Sequence, residues 1–195
     1  MLDKSSTDDL LRNYDDIDSQ VAHLSNTISD FRDFFKPDKQ AVQTTSSTLI
    51  KKSLLLLEHI LKNSHIKVIT DYIADSTLLT YEREIEQVIL NLINNAMDAL
   101  KENNVQDPMI RIQSQEDETN AIITVEDNGN GIEPALLDSL FLPYISTKAQ
   151  RHGTGLGLYM SKMIIEEHCH GTIAAENTGH GAKFTISIPL KDPNE

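Results

Sequence analysis

Tryptophan is absent and cysteine occurs once, at Cys169, in this chain of 195 residues. A lone thiol excludes an intrachain disulfide and a zinc centre built on several cysteines, and it favours a reducing compartment. No apolar run approaches the roughly 18 residues of a membrane span, and the acidic start MLDKSSTDDL lacks the basic and then apolar profile of a signal peptide. These absences predict a soluble, cytoplasmic chain, compatible with a longer, membrane-anchored parent. Basic side chains are scarce: 17 Lys and Arg face 30 Asp and Glu, a formal charge of -13. The mean surface field therefore repels phosphate backbones, and nucleic acid is excluded as an expected partner. A nucleotide is not, because bare backbone N–H groups and a bound cation can form a local anion site on an acidic protein.

What is present fits one well-packed domain with a helical appendage. Tyr14, Ile17, Val21, Leu24, Ile28, Phe31 and Phe35 are spaced alternately by three and four, the rhythm of a coiled-coil or bundle seam. The spacing predicts a long helix from about Ser6 to Pro37, with Asp8 and Asp9 at the positive end of its dipole. Residues 38–47 show no apolar periodicity and read as a linker. Helices are expected over Thr48–Lys62, Glu82–Lys101 and Leu156–His168. Strands are expected over His65–Tyr72, over MIRIQSQ and AIITVED as an antiparallel pair, and over GTIAAEN and AKFTISIPL. This order predicts an α+β layer with helices on one sheet face.

Three segments carry candidate chemistry, each with a plain structural alternative. In VILNLINNAMDAL, Asn91 and Asn95 share one helical face. They are either a surface amide pair or neutral oxygen ligands for a magnesium ion already held by phosphate oxygens and water. In VEDNGNGIEP, Asp127 ends a β-branched run, and Gly129 and Gly131 let the backbone turn or approach a ligand. A carboxylate there is either part of a turn or an acceptor for an exocyclic amine, which adenine offers and guanine does not at the same ring position. In HGTGLGLYMSKMI, Gly153, Gly155 and Gly157 precede a helix, as a phosphate loop or a flexible connection. The run lacks the GK[ST] of a Walker loop and the spacing of a dinucleotide fingerprint. Lys148, Arg151 and His152 gather positive groups just before it.

Taken in order, NLINNAMDAL, DNGNGI, LFLPYISTK and GTGLGLYMSKMI resemble the N, G1, F and G2 boxes of the ATP-binding domain of sensor histidine kinases, within the wider gyrase, Hsp90, histidine kinase and MutL superfamily. The resemblance covers about residues 48–190. It implies the Bergerat fold, a two-layer sandwich with a mixed, mostly antiparallel sheet. It also implies ATP and Mg2+ as cofactors, Asn95 as metal ligand and Asn91 as a polar neighbour of the phosphates. Asp127 would take the adenine amine, Gly129 and Gly131 would shape the pocket floor, and Lys148 would sit on the lid. Gly153, Thr154, Gly155, Leu156 and Gly157 would form the lid's phosphate-facing end, with Leu158 against the base or ribose. The chain departs from the family at Leu142, where an acidic residue usually precedes the proline.

Residues 1–37 resemble the second helix of the family's dimerisation and phosphoacceptor hairpin, which divides the chain into 1–37, the linker 38–47 and a catalytic domain over 48–195. The acceptor motif, a histidine followed closely by an acidic residue, does not occur. His23 lies in the second-helix context, His59 and His65 flank a helix-to-strand connection, His152 is in the lid, and His168 and His170 bracket Cys169 at a helix end. The resemblance thus implies a kinase portion that transfers the ATP γ-phosphoryl group to a histidine outside these residues. Its partners would be ATP or ADP, the histidine-bearing helix of the parent kinase and a response regulator receiver domain, with a homodimer in the full-length protein. The alternatives are a nonenzymatic ATP-binding regulatory module and an ATPase of the gyrase type. The hydrolases place a glutamate four residues before the metal asparagine, and Asn91 stands there with no capacity to act as a base.

Overall fold

The computed structural model describes residues 40–145 and 155–190. The expected N-terminal helix, with its seam from Tyr14 to Phe35, lies outside the described residues, as do Lys148, Gly153 and Thr154.

Strand β1 (Val42–Thr45) runs into helix α1 (Ser46–Asn63), followed by β2 (Lys67–Tyr72), β3 (Thr77–Thr80) and helix α2 (Glu82–Glu102). Strands β4 (Met109–Glu116) and β5 (Asn120–Asp127), a 3-10 turn over Pro134–Ser139, helix α3 (Gly157–Met163), a π-helical turn over Ile164–His168, and strands β6 (Thr172–Asn177) and β7 (Ala182–Pro189) complete the described chain. The main sheet has the order β2-β4-β5-β7-β6. Its one parallel pair is β2 with β4; the others are antiparallel. The mixed, mostly antiparallel sheet flanked by helices is therefore as expected.

Alternation decides which sheet face is covered. Ile110 and Ile112 of β4, Ala121, Ile123 and Val125 of β5, and Ala182, Phe184, Ile186 and Ile188 of β7 are buried on one side. Against them pack Leu49, Ile50 and Leu57 of α1 and Ile85, Ile89, Leu92, Ile93 and Ala96 of α2 in one hydrophobic core. On the opposite face the register sets Arg111 beside Glu126, Glu126 beside Lys183 and Lys183 beside Glu176. That alternation of charge suits a solvated face.

Four local readings are corrected. Residues 42–45, within the expected linker, are a strand paired antiparallel with β3, itself unexpected from sequence. Four residues are too few to show a period, and the pairing is non-local. Helix α1 starts at Ser46, where Thr45 caps it by accepting the Thr48 N–H, and Asp75 receives both the N–H and the hydroxyl of Ser47 at 2.7 Å. Strand β2 starts at Lys67, because His65 adopts φ 54. The third expected helix widens into a π turn at Ile164, closed by the Cys169 N–H to the Ile164 carbonyl at 3.1 Å.

Candidate functional site

Helix α2 lines the site with the face it does not bury. Asn91 and Asn95 are half-buried, one turn apart, while Leu92, Ile93 and Ala96 face the sheet. Asn91 lies against Gly157, the first residue of α3: a Cβ there would stand 2.6 Å from Asn91 Oδ1. Two turns on, Ala99 lies near Gly129, whose Cβ would meet Ala99 Cβ at 3.9 Å. The polar face of α2 thus runs about 12 Å from the G2 segment to the G1 loop, with Asn95 between them.

Asp127 ends β5 and is 5% exposed. Its Oδ1 accepts the N–H of Gly129 at 2.8 Å and of Ala182 at 3.4 Å. Among the described residues no donor reaches Oδ2. Burial pushes the carboxyl above the usual aspartate range and nearby Glu126 adds to the rise, while the two backbone N–H groups pull it back. A buried carboxylate with one satisfied and one open oxygen is an acceptor awaiting a donor.

The loop after Asp127 is held from the β6–β7 hairpin, a support that sequence reasoning missed. The Asn177 side chain accepts the Ile132 N–H at 2.6 Å and donates to the Ile132 carbonyl at 2.7 Å. Gly131 has φ 73, and a Cβ on it would stand 2.6 Å from Asn177 Oδ1. Gly181 comes closer still, since its Cβ would lie 2.1 Å from the Asp127 carbonyl oxygen. Only glycine permits that approach. On the other side of the loop, Asn128 accepts the Met109 N–H at 2.7 Å and donates to the Asp107 carbonyl at 3.0 Å. Nothing in the spacing of Asn177 or Gly181 points to Asp127; the sheet register brings them together.

Around the glycine segment the structure describes Gly155, Leu156, Gly157 and Leu158. Tyr144 donates its N–H to the Gly155 carbonyl at 3.0 Å, and both residues have positive φ, 66 and 67. The two ends of the intervening segment are therefore tied together. Leu158 packs against the edge of the hydrophobic core. At the helix end where His168 and His170 bracket Cys169, His168 Nδ1 lies 2.9 Å from Glu84 Oε2, and the Thr80 hydroxyl donates to Cys169 Sγ at 3.7 Å. Among the described residues no group of three or more His, Cys, Asp or Glu side chains is arranged to hold a metal. No described helix is long and apolar enough to cross a membrane.

The α+β sandwich, with polar side chains along the free face of α2 and at the end of β5, defines a fold class and a candidate site, and comparison with known proteins supplies the family. Residues 80–192 match the model of the "Histidine kinase-, DNA gyrase B-, and HSP90-like ATPase" family, and the chain belongs to that family. It is 35% identical over 183 residues to the sensor histidine kinase ZraS of Escherichia coli K12, covering 89% of this chain and 37% of that protein. It is 30% identical over 174 residues to the signal transduction histidine-protein kinase AtoS of the same strain, covering 88% of this chain and 28% of that protein. The chain thus spans little more than a third of these relatives at most. Among solved structures, a nucleotide-free catalytic domain of the histidine kinase ThkA superposes with a TM-score of 0.70 at 28% identity, covering 78% of this chain and 99% of that one. The Acinetobacter baumannii histidine kinase AdeS also gives 0.70, at 26% identity over 98% of this chain and 87% of that one. The chain is homologous to the catalytic domains of sensor histidine kinases.

Proposed function

We propose that this chain is the ATP-binding catalytic portion of a sensor histidine kinase, binding Mg2+ and ATP and passing the γ-phosphoryl group to a histidine on a separate helical hairpin. The observation that carries this reading is Asp127, buried, with Oδ1 saturated by backbone donors and Oδ2 open to an exocyclic amine. Gly129 and Gly131 shape the floor beneath the base. Asn95 supplies the amide oxygen for the metal and Asn91 a second polar group one turn away, so the residues present suit a hard cation shared with phosphate oxygens. A cation held there would supply charge neutralisation for the transferring phosphoryl group. Lys148, Gly153, Thr154, Gly155, Leu156 and Gly157 enclose the phosphates, and Leu158 borders the base or ribose.

The chain's part in catalysis is positioning. An imidazole nitrogen of the acceptor attacks the γ-phosphorus, the bond to the β,γ-bridging oxygen breaks, and ADP leaves. Asn91 cannot deprotonate a water, which supports transfer over hydrolysis. Residues 1–37 serve as the second helix of a dimerisation hairpin, and the catalytic domain begins at strand β1, which pairs with β3 and runs directly into α1. The full-length protein works as a homodimer and relays the phosphoryl group to a receiver domain. The test is radiolabelled ATP with this chain and a separately supplied histidine-bearing hairpin of its parent kinase. The expected result is an unlabelled chain and an acid-labile, base-stable product on the hairpin, lost in Asn95→Ala. Stoichiometric self-labelling that disappears in His23→Ala contradicts it.

A further inference from the structure

Ser161, on α3, has no part in the reading above, yet it is 2% exposed and hydrogen-bonded on both sides. Its Oγ lies 3.0 Å from the Gly157 carbonyl oxygen and 2.9 Å from Asn91 Nδ2. Donor and acceptor chemistry fixes the direction of this chain. A carbonyl oxygen only accepts, so the single hydroxyl proton of Ser161 goes to Gly157. Ser161 Oγ must then accept, and the atom of Asn91 facing it must be the NH2 group. The other end of the amide, Oδ1, is thereby turned onto the Cα of Gly157, where a Cβ would come within 2.6 Å of it. Among the described residues no donor reaches that oxygen. Gly157 leaves it uncovered at the start of the segment that follows the lid.

We propose that Ser161 is a positioning residue: it locks the Asn91 amide with its carbonyl oxygen toward the phosphate side, where that oxygen accepts a hydrogen bond from a water of the divalent cation. The proposal rests on the ATP and Mg2+ reading of the site and deepens it. Phosphate oxygens are acceptors and offer Oδ1 nothing, whereas Mg2+ dehydrates reluctantly and keeps waters whose protons point outward. An amide oxygen fixed one turn from Asn95 meets that need. Without Ser161 the amide can rotate and present NH2 instead, and the outer shell of the cation loses an acceptor.

The test is calorimetric titration of ADP into the whole chain with Mg2+ and with EDTA, for the wild type, Ser161→Ala, Asn91→Ala and the double variant. In Ser161→Ala the affinity measured with Mg2+ should fall about tenfold while the affinity in EDTA stays within twofold, since outer-shell partners of a metal are typically worth about 10–100-fold. The double variant should bind like Asn91→Ala alone. Ser161→Thr, which retains the hydroxyl, should recover most of the loss. In parallel, NMR of the wild type should show the Asn91 side-chain NH2 protected from exchange, and a Ser161 variant that folds poorly does not affect that reading. Equal losses with Mg2+ and with EDTA, additive effects in the double variant, or a rapidly exchanging Asn91 NH2 overturns the proposal. A wild type whose ADP binding is indifferent to Mg2+ overturns the underlying site reading instead.

Discussion

The two sides of helix α2 obey opposite rules. One side sets Ile85, Ile89, Leu92 and Ile93, all fully buried, against Ile110, Ile112 and Ile123 of the sheet. The other carries Asn91 and Asn95 between the contact with Gly157 and the loop that follows Asp127. On the first side each atom has an apolar neighbour, and burial stabilises by about 25 cal/mol per Å² removed from water. On the second, an oxygen of Asn91 and one of Asp127 lack donors among the described residues, and for the buried Asp127 that arrangement costs stability. The lesson is that the sheet side specifies the fold, while the buried acceptor at Asp127 gives back part of the resulting stability.

Substitutions can break this contrast in turn, the largest effect first. Ile123→Ala, at the centre of the sheet, should cost about 2–5 kcal/mol in denaturant unfolding, and where the variant remains folded its nucleotide affinity should stay within a few-fold of wild type. Asn95→Ala should act on binding, with Mg2+-dependent ATP affinity in calorimetry falling by at least the roughly 10–100-fold that a lost outer-shell partner costs. Gly181→Ala crosses the boundary, because its new Cβ meets the Asp127 backbone oxygen at 2.1 Å. It should destabilise by about 1–3 kcal/mol and weaken ATP binding together. Asn177→Ala removes two exposed bonds to Ile132 and should be the mildest, about 1 kcal/mol, with faster exchange of the Ile132 amide proton.

Much of the contrast can be read from the amino-acid order. The 3.6-residue period from Ile85 to Leu100 marks the buried side of α2 and leaves Asn91 and Asn95 on the other, and alternation through AIITVED puts Asp127 at the end of a buried strand. The parallel pairing of β2 with β4 is not legible, because strand patterns carry no direction. Strands β1 and β3 are too short to announce themselves. Asn177 acts on a loop 45 residues away, and Ser161 reads as helix filler until α2 lies beside it. These residues gain their roles from long-range register, which a local pattern does not encode.

Asp127 offers the most direct measurement of the account, because its burial separates stability from binding. Its carboxyl is raised above the ordinary range, chiefly by burial, so its contribution to stability is complete below the unfolded aspartate value near 4 and is lost as pH rises through the folded value. Asp127→Asn keeps the oxygen that Gly129 and Ala182 need and removes this ionisation cost. At pH 7 the ligand-free variant should unfold at a higher temperature than wild type, and the gain should shrink toward zero below about pH 4. Titrated with ATP and GTP in the presence of Mg2+, the wild type should prefer ATP, and the variant should lose affinity for ATP and with it the preference. A variant that gains nothing in stability at pH 7 and still binds ATP in preference to GTP would contradict both the buried-acceptor geometry and the nucleotide site built on it.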